Sequence, residues 1–144
     1  MGASRVILIP ATPRDEDHIL GFRNEPDVVQ GSLSGLAQGP EWFQGVERYA
    51  YVISHRTATR DHHPVGYVLV EPVAALSIVV GGAHRGQNIG TRAIEQATFL
   101  ARGKAYSRVI AEVRDENAAS RRAFTKAGYR EQPRDHLGLF IARL

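Results

Sequence analysis

The spacing of hydrophobic and polar positions changes along the chain, and each change marks an element. Arg5 to Pro10 reads as a strand, and Pro13 to about Asn24 as a helix with Thr12 as its cap. Pro26 to Pro40 is punctuated by glycine and serine, the pattern of a loop or short helix. Tyr49 to Ser54 and Val65 to Val70 read as strands joined by a polar loop, and a β-branched strand follows over Ala75 to Val80. Ile89, Ala93, Ala97 and Leu100 then mark one face of a helix. Arg108 to Val113 is a strand, Asn117 to Ala127 a helix, and Tyr129 onward with Leu137 to Leu144 the closing strands. The order is β/α without internal repeats, and the expected class is α/β (α+β) in one domain spanning 1–144.

Composition narrows the function classes. The 144 residues include no cysteine, which removes a disulfide framework, a thiolate zinc site and a cysteine nucleophile. The apolar residues near the N-terminus are too few for a signal segment, and no run approaches membrane-spanning length, so the expectation is a cytoplasmic protein without a membrane partner. The net charge of +3 is modest but unevenly spread. Nine of the 18 basic residues fall between 85 and 126, whereas 13 to 47 carries Asp15, Glu16, Asp17, Glu25, Asp27, Glu41 and Glu47 against Arg14 and Arg23. One region favours an anion and the other a cation. Stacking aromatics are not interleaved with the arginines, so a nucleic-acid partner is not expected.

The most informative stretch is Leu76 to Thr91, where the β-branched strand breaks into Gly81-Gly82-Ala83-His84-Arg85-Gly86-Gln87-Asn88-Ile89-Gly90 and opens onto a helix. A helix N-terminus offers unpaired N–H groups and partial positive charge, so the segment reads as an anion cradle to which Arg85 adds a full charge. Gly81 and Gly86 have the Walker A spacing, but Gln87 and Asn88 stand where that loop needs Lys and Ser/Thr. The glycines also never supply the dinucleotide fingerprint.

Arg85-Gly86-Gln87-Asn88-Ile89-Gly90 resembles the acetyl-CoA loop of the GCN5-related N-acetyltransferase superfamily, with Asn88 at its middle glycine. Asn tolerates the left-handed backbone better than other side chains. Asn117, Ser120, Phe124, Gly128 and Tyr129 are similar to the second half of that family's cofactor site, at matching spacings. The residues themselves suit a capped helix: Asn117 at the N-cap, Ala119, Ala123 and Ala127 as a small apolar stripe, and Gly128 at the C′ position. The resemblance covers roughly 74 to 130. It implies a mixed, mostly antiparallel sheet flanked by helices, with two strands splayed to form a cofactor cleft. It further implies acetyl-CoA as co-substrate, held by Ile78, Val79, Val80, Arg85, Gly86, Gln87, Asn88, Ile89, Gly90, Thr91, Asn117, Ser120, Arg122, Phe124 and Lys126.

Acyl transfer from a thioester to an amine requires deprotonation of the amine, a donor for the developing oxyanion and departure of the thiolate. In the family the oxyanion donor is a backbone N–H that would fall near Ile78 to Val80 here. Many relatives carry a tyrosine where this chain has Phe124, and a phenyl ring donates no proton. Ser120, one turn earlier on nearly the same face, is the replacement donor or else a small packing residue. Thiolate also leaves tolerably unaided near pH 8. Candidates for the base are Glu25, Glu71, Glu112 and His84, each with a reading as a surface, strand or loop residue. His55, His62 and His63 are read as a solvated hairpin region rather than a metal site, because adjacent strand residues face opposite ways.

Phe22 to Val29 resembles the acceptor-side segment of ribosomal-protein N-terminal acetyltransferases and bacterial aminosugar acetyltransferases. Trp42, Phe43, Tyr49 and Tyr51 either line such a pocket or belong to the core. The expected activity is N-acetyl transfer to a primary amine of a small molecule or aminosugar. A protein N-terminal acetyltransferase and a catalytically silent CoA-binding sensor are the alternatives, and a homodimer is left open.

Overall fold

In the computed structural model, residues 4–71, 75–104, 106–134 and 137–144 are described, with backbone alone at 133, 134 and 137. Strand β1 is Arg5–Pro10. The helix expected from Pro13 begins as a 3-10 turn, Pro13–Asp15, in which the Thr12 N–H donates to Asp15 Oδ2 at 2.9 Å; α1 proper is Glu16–Arg23. Proline at N1 suits both short helices that follow, α2 (Pro26–Gly31) and α3 (Pro40–Val46). Helix α3 was not expected, since seven residues are too few for a helical period to stand out. Strands β2 (Ala50–Arg56), β3 (His63–Val70) and β4 (Leu76–Val80) are followed by α4 (Ile89–Gly103), β5 (Arg108–Arg114), α5 (Ala118–Lys126), β6 (Arg130–Arg134) and β7 (Leu137–Arg143).

Among the described residues the strands form two antiparallel sheets, β1-β2-β3-β4 and β5-β7-β6. Strands β4 and β5 lie next to each other in this arrangement but share a single isolated parallel bridge, Ala75 to Ile110. Beyond it they have no common ladder among the described residues, which is the splay that the resemblance implies. The pairing of β2 with β3 shifts register between Ile53 and Ser54, and Ser54 and His55 are buried beside that irregularity.

Two apolar clusters hold the sheets and helices together. One packs α4 and α5 through Ile89, Ile94, Ala97 and Phe124 onto Ile53, Val68, Val109 and Phe140. The other gathers Ile19 of α1 and Phe43 of α3 against Val52, Tyr67 and Leu69 on the opposite face of the first sheet. Full burial of such side chains contributes about 1.5–3 kcal/mol each. Helix α5 then stops in a Schellman motif: Gly128 has φ +93°, Tyr129 N–H donates to Phe124 O and Gly128 N–H to Thr125 O, both at 3.0 Å. The rings of Phe124 and Tyr129 close it edge to face at 5.1 Å. The buried Tyr129 hydroxyl meets Thr98 Oγ1 at 2.5 Å, tying α5 to α4. No helix among the described residues is long and apolar enough to cross a membrane.

Candidate active site

The loop between β4 and α4 takes the conformation that an anion cradle needs. Gly86 has φ +79° and Asn88, the N-cap of α4, has φ 61°, so both turn through the left-handed region. The Asn88 side chain makes no capping bond, and the Arg92 N–H is the first to bond back, to Asn88 O at 3.3 Å. The N–H groups of Asn88, Ile89, Gly90 and Thr91 therefore lie ahead of the helical ladder. By contrast, α5 satisfies its own start, because Asn117 Oδ1 accepts from the Ser120 N–H at 3.2 Å.

Arg85 is not free to add its charge to the cradle as the sequence suggested. Its guanidinium donates to Asp27 Oδ2, lies 3.8 Å from Glu25 Oε1, and gives its Nε–H to Val80 O at 3.1 Å. The bond from Arg85 holds the Asp27 carboxyl below the usual carboxylate range. Glu25, a candidate base, accepts from the Gly82 N–H at 2.7 Å and so braces the same loop. The Gln87 side chain reaches back to His84 O at 3.4 Å.

The remaining sequence candidates separate into cleft, surface and core. Ile78, Val79 and Val80 are half-buried on β4, paired with Val68, Tyr67 and Gly66 of β3, so their other edge faces β5. Ser120 is half-buried in the first turn of α5, and Arg122 and Lys126 are exposed on that helix. Glu112 is exposed on β5 opposite Leu139. Ile89 and Phe124 are each 2% exposed, so their side chains are core; Phe124 sits between Tyr129 and Phe140. Any contact of these two with a cofactor falls to the backbone.

The histidines also depart from the expected solvated hairpin. His63 belongs to β3 and its ring lies 5.9 Å from buried His55 and 5.6 Å from His84, which in turn meets Phe22 edge-on at 6.5 Å. Burial first, then the neighbouring imidazole of His63, holds His55 and His84 below the ordinary histidine value. His62 stays on the surface with Nδ1 3.1 Å from Ser54 Oγ. Among the described residues no group of three or more His, Cys, Asp or Glu could hold a metal.

Arg23, a basic group the sequence offers in the acceptor-side segment beside Arg48 and Arg56, is set apart by its burial. Arg23, at the end of α1, is 7% exposed, with Nη2 donating to Ser34 Oγ at 3.2 Å and the guanidinium 5.8 Å from the Trp42 ring centre. Its neighbour Asn24 clamps the backbone of Gln38 in both directions at 2.7 Å.

An uncapped helix start after a strand that splays from its neighbour is the arrangement that the resemblance to the acetyltransferase superfamily implies. Residues 5–130 match the acetyltransferase (GNAT) domain family, and the chain belongs to it. Solved structures share the fold at low identity. A domain from Methanocaldococcus jannaschii DSM 2661 is 17% identical with a TM-score of 0.85, covering 98% of this chain and 99% of that one. An acetyltransferase of the GNAT family from Bacillus anthracis is 13% identical with a TM-score of 0.77, covering 99% and 97%. YncA from Salmonella typhimurium, solved with its cofactor acetyl-CoA, is 15% identical with a TM-score of 0.75, covering 99% and 94%. No curated protein sequence gives a significant match.

Proposed function

We propose that this domain transfers the acetyl group of acetyl-CoA to a primary amine of a small molecule or aminosugar. The observation that carries the reading is the start of α4, where four N–H groups precede the first helical bond and no side chain caps them. Such a terminus suits a pyrophosphate. Acetyl-CoA would supply an activated acyl thioester. The β4 edge turned toward β5 has no ladder partner over 76–80 among the described residues, which leaves backbone N–H groups for the carbonyl oxygen on which charge develops. Ser120 is the proton donor proposed for the leaving thiolate, and Glu25 and Glu112 are the proposed bases, with Glu25 standing at the acceptor side of the loop it braces.

A small acceptor is favoured over a peptide because the segment between α2 and α3 is held down by the Asn24 clamp on Gln38 rather than open. Release of CoA thiol above hydrolysis background, measured with free aminosugars, nucleotide-linked aminosugars, polyamines and short peptides, tests the reading. Turnover of a peptide alone would move the protein N-terminal acetyltransferase to first place. The burial of Phe124, which removes that position as a source of acid, favours the silent CoA-binding sensor as second reading. Acetyl-CoA stabilisation without turnover of any amine would establish it.

A further inference from the structure

We propose that Arg23 recognises an anionic group on the acceptor, so that the substrate is a small amine that also carries a carboxylate or phosphoryl group. The inference rests on the acetyltransferase reading above and names the acceptor chemistry of that same site.

Arg23 Nη1 is shut off from solvent, and among the described residues it has no hydrogen-bond partner and its guanidinium enters no ion pair. A buried cation with an open donor is costly, and an apolar residue of similar volume would serve packing better. The planar fork of arginine matches a carboxylate or phosphate edge, which supplies the missing charge and the missing acceptor together. One prong is already occupied by a neutral stand-in, since Nη2 donates to the Ser34 hydroxyl. An arriving pair of anionic oxygens would displace that hydroxyl and take Nη1 in the same contact.

Arg23 lies in the segment that resembles the family's acceptor-side segment. The Trp42 ring that Arg23 overlies meets Tyr67 of β3 edge-on at 6.0 Å, and Tyr67 pairs directly with Val79 of β4. The guanidinium thus lies one strand from the backbone that borders the splay. Trp42, which Arg23 overlies, also borders a surface hollow of about 560 Å³ with Gln38, Gly39, Pro40 and Glu41. The segment covering Arg23 contributes the displaceable Ser34, and Gly35 within it has φ +69°.

Trp42 is the single tryptophan of the chain, so its emission reports this site. The full chain is titrated, at constant ionic strength, with inorganic phosphate and with matched pairs: glucosamine 6-phosphate against glucosamine, and alanine against alaninamide. The expected result is a saturable change in emission for phosphate and for at least one anionic amine, at a tenfold or greater lower concentration than its neutral counterpart. The phosphate-bearing and carboxylate-bearing arms separate the two sources of the anion. Loss of the response in Arg23→Met, with acetyl-CoA stabilisation in thermal melts retained, supports the assignment. Equal responses to charged and neutral members, or none from any anion, overturn it, and this comparison on the unsubstituted protein decides whether or not the variant folds. Because acetyl-CoA binding is read separately, failure of the anion site and failure of the acetyltransferase reading give different results.

Discussion

Arg85 and Asp27, 58 residues apart, form an ion pair that fastens the loop between β4 and α4 to the start of α2. The pair sets the charge of the loop, because an arginine held by a carboxylate offers less to an incoming pyrophosphate. Asp27→Asn should therefore strengthen acetyl-CoA binding by about two- to fivefold, the scale of an exposed ion pair. Calorimetric titration checks it. Unchanged or weaker binding would show that Asp27 helps to preorganise the loop instead.

Gly90 tests the cradle from the other side. A Cβ there would lie 3.7 Å from Ala123 Cβ and from Val80 Cγ2, ordinary contact distances. Gly90→Ala should fold as well as the parent and keep its acetyl-CoA stabilisation, about 2.7 kcal/mol at a hundredfold excess over Kd. Gly90→Val should lose that stabilisation, since its branched carbons crowd the approach to the N–H groups. Thermal melts with and without acetyl-CoA distinguish the two.

The Ser120 N–H, rather than its hydroxyl, is what Asn117 caps, so Ser120→Ala leaves the start of α5 bonded as before. If the hydroxyl protonates the leaving thiolate, kcat should fall by roughly 10² while acetyl-CoA affinity holds. An unchanged kcat would assign departure of the thiolate to another donor or to none.

Phe124→Tyr would restore the tyrosine of many relatives, but the ring is enclosed by Tyr129 and Phe140. A hydroxyl placed there without a partner costs about 1–3 kcal/mol. The expected outcome is a lower Tm with no gain in kcat. A rate gain at unchanged Tm would mean that the ring rotates into the cleft.

Stability should fall on mild acidification. His55 and His84 titrate below the value of 6.5 that they regain on unfolding, so the folded state binds fewer protons in that range. Their contribution is unaffected well above that value and turns against the fold as the pH drops through it. Melts between about pH 8 and pH 5 should show a plateau and then a decline, reduced in His63→Gln, which removes a neighbour of both. A flat profile would contradict the burial of these imidazoles.

Local chemistry was the legible part of this chain. Asn117 and Gly128 announced both ends of α5, and Asn88 was placed in left-handed backbone, because caps and turns depend on a few adjacent residues. The order of strands followed from alternation. What stayed hidden depends on residues far apart in sequence. The pairing of Arg85 with Asp27, the burial of Arg23 against Trp42 and the row His55, His63 and His84 each join distant segments, and the row further depends on the register of β2 with β3, which shifts between Ile53 and Ser54. Phe124 shows the same limit, since spacing along a helix does not reveal which neighbours will enclose a ring.

The single bridge from Ala75 to Ile110 has a consequence for how the chain is put together. Among the described residues every strand before the loop between β4 and α4 belongs to one sheet and every strand after it to the other, so each sheet can complete its hydrogen bonding from one contiguous stretch of polypeptide. The loop proposed for the pyrophosphate is thus also the joint between the stretches that build the two sheets, and α4, packed on β1, β3 and β4, is the part of the second stretch that clasps the first.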